Sequence, residues 1–158
     1  MNWKFVTAPL PLVLLMVYSF FNFTQLGDFY FHASFTGGDR YPNGVAFLLQ
    51  LLAPFMPQYI ALLVYTLLVA VILPYILIFQ ITKNEMASWV YLYGSNIAIN
   101  LFFLWVAPQA TIQLFMLASI LFPPFLVVFL LVGQFFHNAW FAGFLLAIAY
   151  LGVKKWLA

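Results

Sequence analysis

The sequence predicts an all-α, polytopic integral membrane protein, and three observations lead to this prediction. Hydrophobic residues make up 67% of the chain, aromatic residues 22% and charged residues only 5%. A water-soluble domain of 158 residues cannot cover its surface with so little charge. The charged residues also cluster, which leaves three long tracts without charge, at 5–27, 41–82 and 86–153. Because a charge in the bilayer core costs several kcal/mol, such tracts are typical of membrane-spanning helices.

Composition also limits the partners. The net charge of +2 is too small to favour nucleic-acid binding, so the expected surroundings are the lipid bilayer and other membrane proteins. The absence of cysteine excludes disulfides and thiolate metal sites. The apolar run at 5–23 is too long for the core of a typical signal peptide, and we interpret it as a retained helix. The chain is therefore expected to form one membrane domain over residues 1–158.

About five membrane-spanning helices are predicted, at 5–23, 59–81, 89–105, 111–132 and 139–153. Residues 24–44 are expected to form an outer polar loop. The apolar segment 45–56 is too short to cross ~30 Å of hydrocarbon, so it is predicted to be a juxtamembrane helix. Pro74 predicts a kink in the second span, and Pro123-Pro124 predicts a break or kink in the fourth.

The lysines give a conflicting topology. Lys4 and Lys83 lie on one side, which the positive-inside rule makes cytoplasmic, together with the N-terminus. Five crossings then place Lys154 and Lys155 outside, against the rule. Four crossings would result if 115–132 were a re-entrant segment. We favour five crossings here, because the two lysines would then share a side with the polar loop.

The polar loop contains three of the chain's charged residues, Asp28, Asp39 and Arg40. The motif Asp28-Phe29-Tyr30-Phe31-His32 follows the first span, and Tyr41-Pro42-Asn43-Gly44 precedes the short apolar helix. This order resembles the N-terminal part of the GT-C glycosyltransferases, membrane enzymes that take sugar from polyprenyl-phosphate carriers. Archaeal oligosaccharyltransferase catalytic subunits, which belong to that superfamily, often show Asp-x-Tyr-Tyr-His in the corresponding loop.

The resemblance implies that Asp28 acts as a general base, or that it orients the acceptor or a divalent metal. The alternative is an interfacial aspartate that caps a helix. His32 follows four residues later and, on a helix, would share a face with Asp28. The pair would supply two metal ligands or one structural hydrogen bond, and two ligands do not define a metal site. Gln109 stands in an outer turn where the family usually has a second acidic residue.

Besides His32, four further residues are candidates for binding the substrate or its carrier phosphate. Arg40, beside Asp39 in a glycine-rich turn, is able to hold a phosphate through two parallel hydrogen bonds, and the alternative is a solvated loop tip. Lys154 and Lys155 would attract that phosphate if they lie outside, or anionic lipid head groups if they lie inside.

Two classes of function follow from this reading of the chain. The first is a small GT-C-like protein that acts in glycosyl transfer from a polyprenyl-phosphate donor. The second is a non-catalytic subunit that packs beside larger membrane proteins. A transporter or channel is disfavoured, because the predicted spans contain no ionisable residue to mark a pathway.

Overall fold

The computed structural model describes residues 7, 9–22, 44–95, 107–138 and 140–157. Within these ranges every regular element is helical, so the prediction of an all-α fold is confirmed for the described part of the chain. Two helical segments of this part are long and apolar enough to cross a membrane, Tyr59–Thr82 and Trp140–Leu157. They fall on the second and last predicted spans.

The described elements follow one another along the chain as helices joined mostly by short turns. They are α1 (Leu10–Asn22), α2 (Gly44–Leu52), α3 (Gln58–Leu67), a π-helix (Leu68–Ile72), α4 (Leu73–Thr82), α5 (Glu85–Ser95), α6 (Ala107–Leu121), α7 (Phe125–Val132), a 3-10 helix (Gly133–Phe135) and α8 (Trp140–Leu157). Helix α2 is shorter than the predicted 45–56, because Pro54 lacks the N–H that would continue it.

Helices α3 and α4 form one continuous helix with the π-helix between them. The backbone N–H of Leu73 donates to the carbonyl of Leu68, five residues back, instead of four. Pro74 comes next and has no N–H to donate. The widened turn thus lies directly before the proline at which the sequence predicts a kink, and local π geometry is a known way of accommodating proline in a helix.

The turn between α4 and α5 is built by Lys83 and Asn84. Lys83 adopts the left-handed conformation with φ 54°, and its N–H donates to the Phe79 carbonyl at 2.8 Å. This arrangement is a common end for a helix. Asn84 then caps α5, because its Oδ1 accepts from the N–H groups of Met86 at 2.9 Å and Ala87 at 3.3 Å. Helix α5 therefore turns back and packs along α4.

Two clusters of buried apolar side chains form the core of the described part. The first lies around the π-helix and consists of Leu12, Val69, Ala70, Val71, Tyr75, Leu92 and Ala110. The second lies around the start of α3 and consists of Val45, Leu49, Ala61, Leu62 and Leu63. Tyr65 and Leu67 are partly buried and pack against both clusters.

The bundle has two ends, which we call the lysine end and the loop end. The lysine end is defined by Lys83 and Glu85, and the loop end by Gln58 at the start of α3. Thr7 lines a recess together with Glu85, so α1 begins near the lysine end. Further along α1, Val17 packs against the second cluster. Helix α1 therefore runs from the lysine end towards the loop end.

The predicted fourth span, 111–132, is divided into two helices. Helix α6 ends at Leu121, and α7 begins at Phe125 after a turn through Pro123-Pro124. The Phe115 ring lies 5.6 Å from the Phe125 ring, so α7 packs against α6 instead of extending it. Helix α8 also packs along α6. A Cβ on Gly143 of α8 would lie only 2.8 Å from Cγ2 of Ile112, which shows how closely these two helices approach.

Candidate functional site

The segment that carries most of the predicted site residues, 23–43, lies outside the described residues. The predicted base Asp28 and the predicted binding residues His32, Asp39 and Arg40 all belong to it. The structure does describe the two helices that flank this segment. Helix α1 ends at Asn22 and α2 begins at Gly44, so the position of the segment is limited by where these two helices are held.

Both flanking helices are attached to the same part of the molecule. Val17 of α1 and Val45 of α2 pack in the second cluster, with residues 61–63 of α3. The side chains involved are apolar and close-packed, and burial of this kind stabilises a helix far more than its intrinsic propensity does. Helices α1 and α2 are therefore both held beside the first turns of α3, at the loop end.

Gly44, the first residue of α2, lies in close contact with the chain at Phe135 and Phe136. A Cβ at this position would overlap the Phe135 carbonyl oxygen and would lie 3.0 Å from the Phe136 ring. Only glycine lets the start of α2 approach the 3-10 helix this closely. The turn that the sequence predicts at Pro42-Asn43-Gly44 thus ends at a residue that packing alone restricts to glycine.

Lys154 and Lys155 lie in the last turn of α8, and both are exposed. Lysines at this position complement the negative end of the helix dipole. Lys154 lines a shallow recess of about 270 Å³ with Tyr150, Val153 and Leu157, all of them residues of α8 itself. The described lining of this recess thus comes from α8 alone.

A second recess lies at the lysine end. It encloses about 630 Å³ and is lined by Thr7, Glu85, Met86, Trp89 and Val90. The Trp89 ring stacks on Tyr93 with centroids 5.4 Å apart, which holds the indole at the edge of the recess. The sequence did not predict this recess. The available signal was Asn84 before an apolar run, since it predicts the start of a helix there.

One polar contact joins two helices in the described core. The hydroxyls of Tyr65 on α3 and Thr111 on α6 lie 2.7 Å apart. The sequence did not predict this pair. His137, in the turn before α8, is half-buried, and desolvation lowers the pKa of its imidazole.

Among the described residues, no three His, Cys, Asp or Glu side chains lie close enough together to hold a metal ion. The suggested metal ligands Asp28 and His32 are outside those residues. The chain matches no protein-family model, no curated protein and no solved structure.

Proposed function

We propose that the protein is a multi-pass integral membrane protein, and helix α8 carries this proposal. Trp140–Leu157 is apolar enough to cross a bilayer, yet only 11% of the residues in its most apolar window are buried inside the protein. An apolar helix of a soluble protein is normally buried in the core. Since the rest of the described chain does not cover α8, lipid is the solvent that fits its outer surface.

Helix α7 supports the same proposal. All eight of its residues are apolar, yet only Phe129 is buried. Val127 and Leu131 are 62% and 63% exposed. Leaving such a side chain in water forfeits about 1.5–3 kcal/mol relative to burial, and this loss disappears when hydrocarbon surrounds the helix.

The proposal is tested by extraction of the expressed protein from isolated membranes. We expect the chain to stay in the pellet after washing at alkaline pH and at high salt, and to enter solution only with detergent. A peripheral membrane protein released by the same wash serves as the control. Recovery of folded, monodisperse protein without detergent would overturn the proposal.

For the biochemical role we propose glycosyl transfer from a polyprenyl-phosphate-linked sugar, with Asp28 as the general base. The support is the motif around Asp28 and the order of the elements that flank it. Helix α1 runs to the loop end, the polar loop follows, and the short helix α2 comes before the long helix that starts at Gln58. The resemblance to GT-C enzymes implies the same order.

The decisive variant is Asp28→Asn, which keeps the shape of the side chain but removes its basicity. We expect transfer from a polyprenyl-phosphate sugar to fall by roughly 10²–10⁴-fold, the usual contribution of general base catalysis. Glu85→Gln is the matched control, because Glu85 lies in the recess at the lysine end and is expected to leave transfer unchanged. Equal activity of wild type and D28N would contradict the proposed role.

A second candidate role is a non-catalytic subunit, and the recess at the lysine end favours it. Met86 and Val90 border this recess and are 73% and 65% exposed, which offers an apolar surface to a partner helix. We expect the protein to purify in mild detergent with one partner at fixed stoichiometry. M86S/V90S should lose that partner, whereas a change on α8, V153S, should keep it. A monodisperse protein without any companion would count against this role.

A further inference from the structure

The two helices α6 and α7 form a hairpin that begins and ends in the same half of the bundle. Thr111, near the start of α6, contacts Tyr65 in the first half of the long helix, and α6 also packs along the π-helix, which follows Tyr65 in the chain. Helix α6 therefore runs in the same direction as α3 and α4, towards the lysine end. It packs along α4 as well.

Helix α7 returns in the opposite direction. The Phe115 ring contacts three rings of the returning chain, those of Phe125, Phe129 and Phe136, at centroid distances of 5.6, 5.6 and 5.2 Å. Phe136, just past the end of the hairpin, packs against the second cluster and lies close to Gly44 at the start of α2. The chain is thus back near the start of α3 when the hairpin ends.

The hairpin is too short to cross a bilayer. Helix α6 has 15 residues, so it spans about 22 Å, whereas the hydrocarbon core is about 30 Å thick. If both helices are followed in parallel from the Thr111–Tyr65 contact, ten residues lead to Leu121 on α6 and to the level of Tyr75 on the long helix. That level is about 10 Å short of Thr82 at 1.5 Å per residue.

We propose that α6, α7 and the 3-10 helix form a re-entrant hairpin, which enters the membrane from the loop end and leaves it there without crossing. This inference rests on the proposal that the protein spans the membrane. The turn at Pro123-Pro124 then lies inside the bilayer, and acyl chains cover its exposed apolar side chains, among them Phe122 at 62% exposure.

The turn is suited to hydrocarbon because its backbone donors are satisfied. Phe122 donates to Ala118 at 2.8 Å, and Phe125 donates back to Phe122 at 2.9 Å. The next two residues, Leu126 and Val127, donate to the carbonyls of the two prolines at 3.0 and 3.2 Å. The prolines have no N–H of their own. Since an unsatisfied N–H in lipid costs several kcal/mol, this is a turn that a membrane interior tolerates.

The hairpin determines the membrane face at which α8 ends. Helix α8 begins where the hairpin ends, since a Cβ on Gly133 would lie 3.2 Å from the Trp140 Cβ. From the loop end, an apolar helix of 18 residues stays in hydrocarbon only if it runs towards the lysine end. Lys154 and Lys155 then share a face with Lys83.

This arrangement has four crossings and removes the conflict with the positive-inside rule. Lys83, Lys154 and Lys155 belong to one face, which is cytoplasmic by that rule. Helix α1 ends, and α2 begins, towards the other face. Lys154 and Lys155 then meet the head groups of the cytoplasmic leaflet.

Single cysteines test the hairpin, because the chain has none of its own. We would place one at each key position and label sealed spheroplasts with a membrane-impermeant maleimide before and after permeabilisation. The variants are M86C at the lysine end, N138C after the hairpin, L157C on α8 with W156C as its duplicate, and F122C at the turn. Each variant is first checked for elution in mild detergent at the volume of the parent.

The re-entrant hairpin predicts that M86C and L157C label only after permeabilisation, that N138C labels before it, and that F122C labels in neither state. If the chain crosses five times, M86C and N138C label together and L157C labels on the other side, which would overturn the hairpin alone. The membrane proposal itself fails if all four positions label equally and the alkaline wash also removes the protein from the membranes.

Discussion

The hydroxyl of Thr66 is the clearest residue-scale feature of the described core. Thr66 is 4% exposed, and its Oγ1 has no hydrogen-bond partner. The next threonine of the core, Thr111, has its hydroxyl 2.7 Å from that of Tyr65. The two side chains have the same shape and differ in whether their polar atom is satisfied, so they form a matched pair for substitution by valine.

Replacement of Thr66 by valine should stabilise the protein. The change removes a buried hydroxyl without a partner and keeps the volume, so the desolvation cost of about 1–3 kcal/mol is recovered in part. Thr111→Val should instead destabilise by about 0.5–1.5 kcal/mol, because the Tyr65 hydroxyl loses its partner. Thermal unfolding in mild detergent measures both, and a lower melting temperature for T66V than for wild type would contradict the assignment.

At the scale of the residue, the sequence predicts charged site residues but did not predict the polar contacts of the core. It singled out Asp28, His32, Asp39 and Arg40 because charge is rare in this chain, and these remain predictions since they lie outside the described residues. It did not single out the Tyr65–Thr111 pair. Both residue types occur many times in the chain, and only the packing of α3 against α6 brings these two hydroxyls together.

At the scale of the element, the contact between α6 and α8 depends on Gly143. Gly143→Val should destabilise by about 1–3 kcal/mol, because its Cβ would lie 2.8 Å from Ile112 Cγ2 and 3.3 Å from Phe129 Cζ. Gly152→Val on the same helix is the control, since a Cβ there meets nothing within 4 Å. Detergent-solubilised unfolding compares the two, and equal midpoints would mean that α6 and α8 do not approach so closely.

The elements themselves were largely predictable, and the path between them was not. Pro123-Pro124 marks the break between α6 and α7 in the sequence, because proline cannot continue a helix. The direction of the chain after the break depends on the contacts of the Phe115 ring with the rings of Phe125 and Phe136. These two residues lie 10 and 21 positions further along the chain. A local pattern contains no information about such contacts, so 111–132 reads as one span.

At the scale of the whole molecule, the two buried clusters divide the core between its ends. They share no buried residue and are joined through the partly buried Tyr65 and Leu67. Leu62→Ala in the second cluster and Leu92→Ala in the first should each cost about 2–5 kcal/mol. Because the two sites share no buried neighbour, the double variant should cost the sum to within about 0.5 kcal/mol.

A chemical unfolding titration in mixed micelles gives all three values. Leu62→Ala combined with Leu49→Ala, both within the second cluster, is the comparison expected to deviate from additivity. Strong coupling between Leu62 and Leu92 would show instead that the core behaves as one unit.

The π-helix at Leu68–Ile72 sets the rotational phase between the two halves of the long helix. Such a segment holds one residue more than the α-helix that would replace it, and each residue of an α-helix turns by about 100°. Deleting a single residue there would therefore turn Tyr75 about a quarter of a revolution away from Leu92, while residues 61–63 kept their neighbours. The length of the chain at this one place decides which side of α4 faces α5.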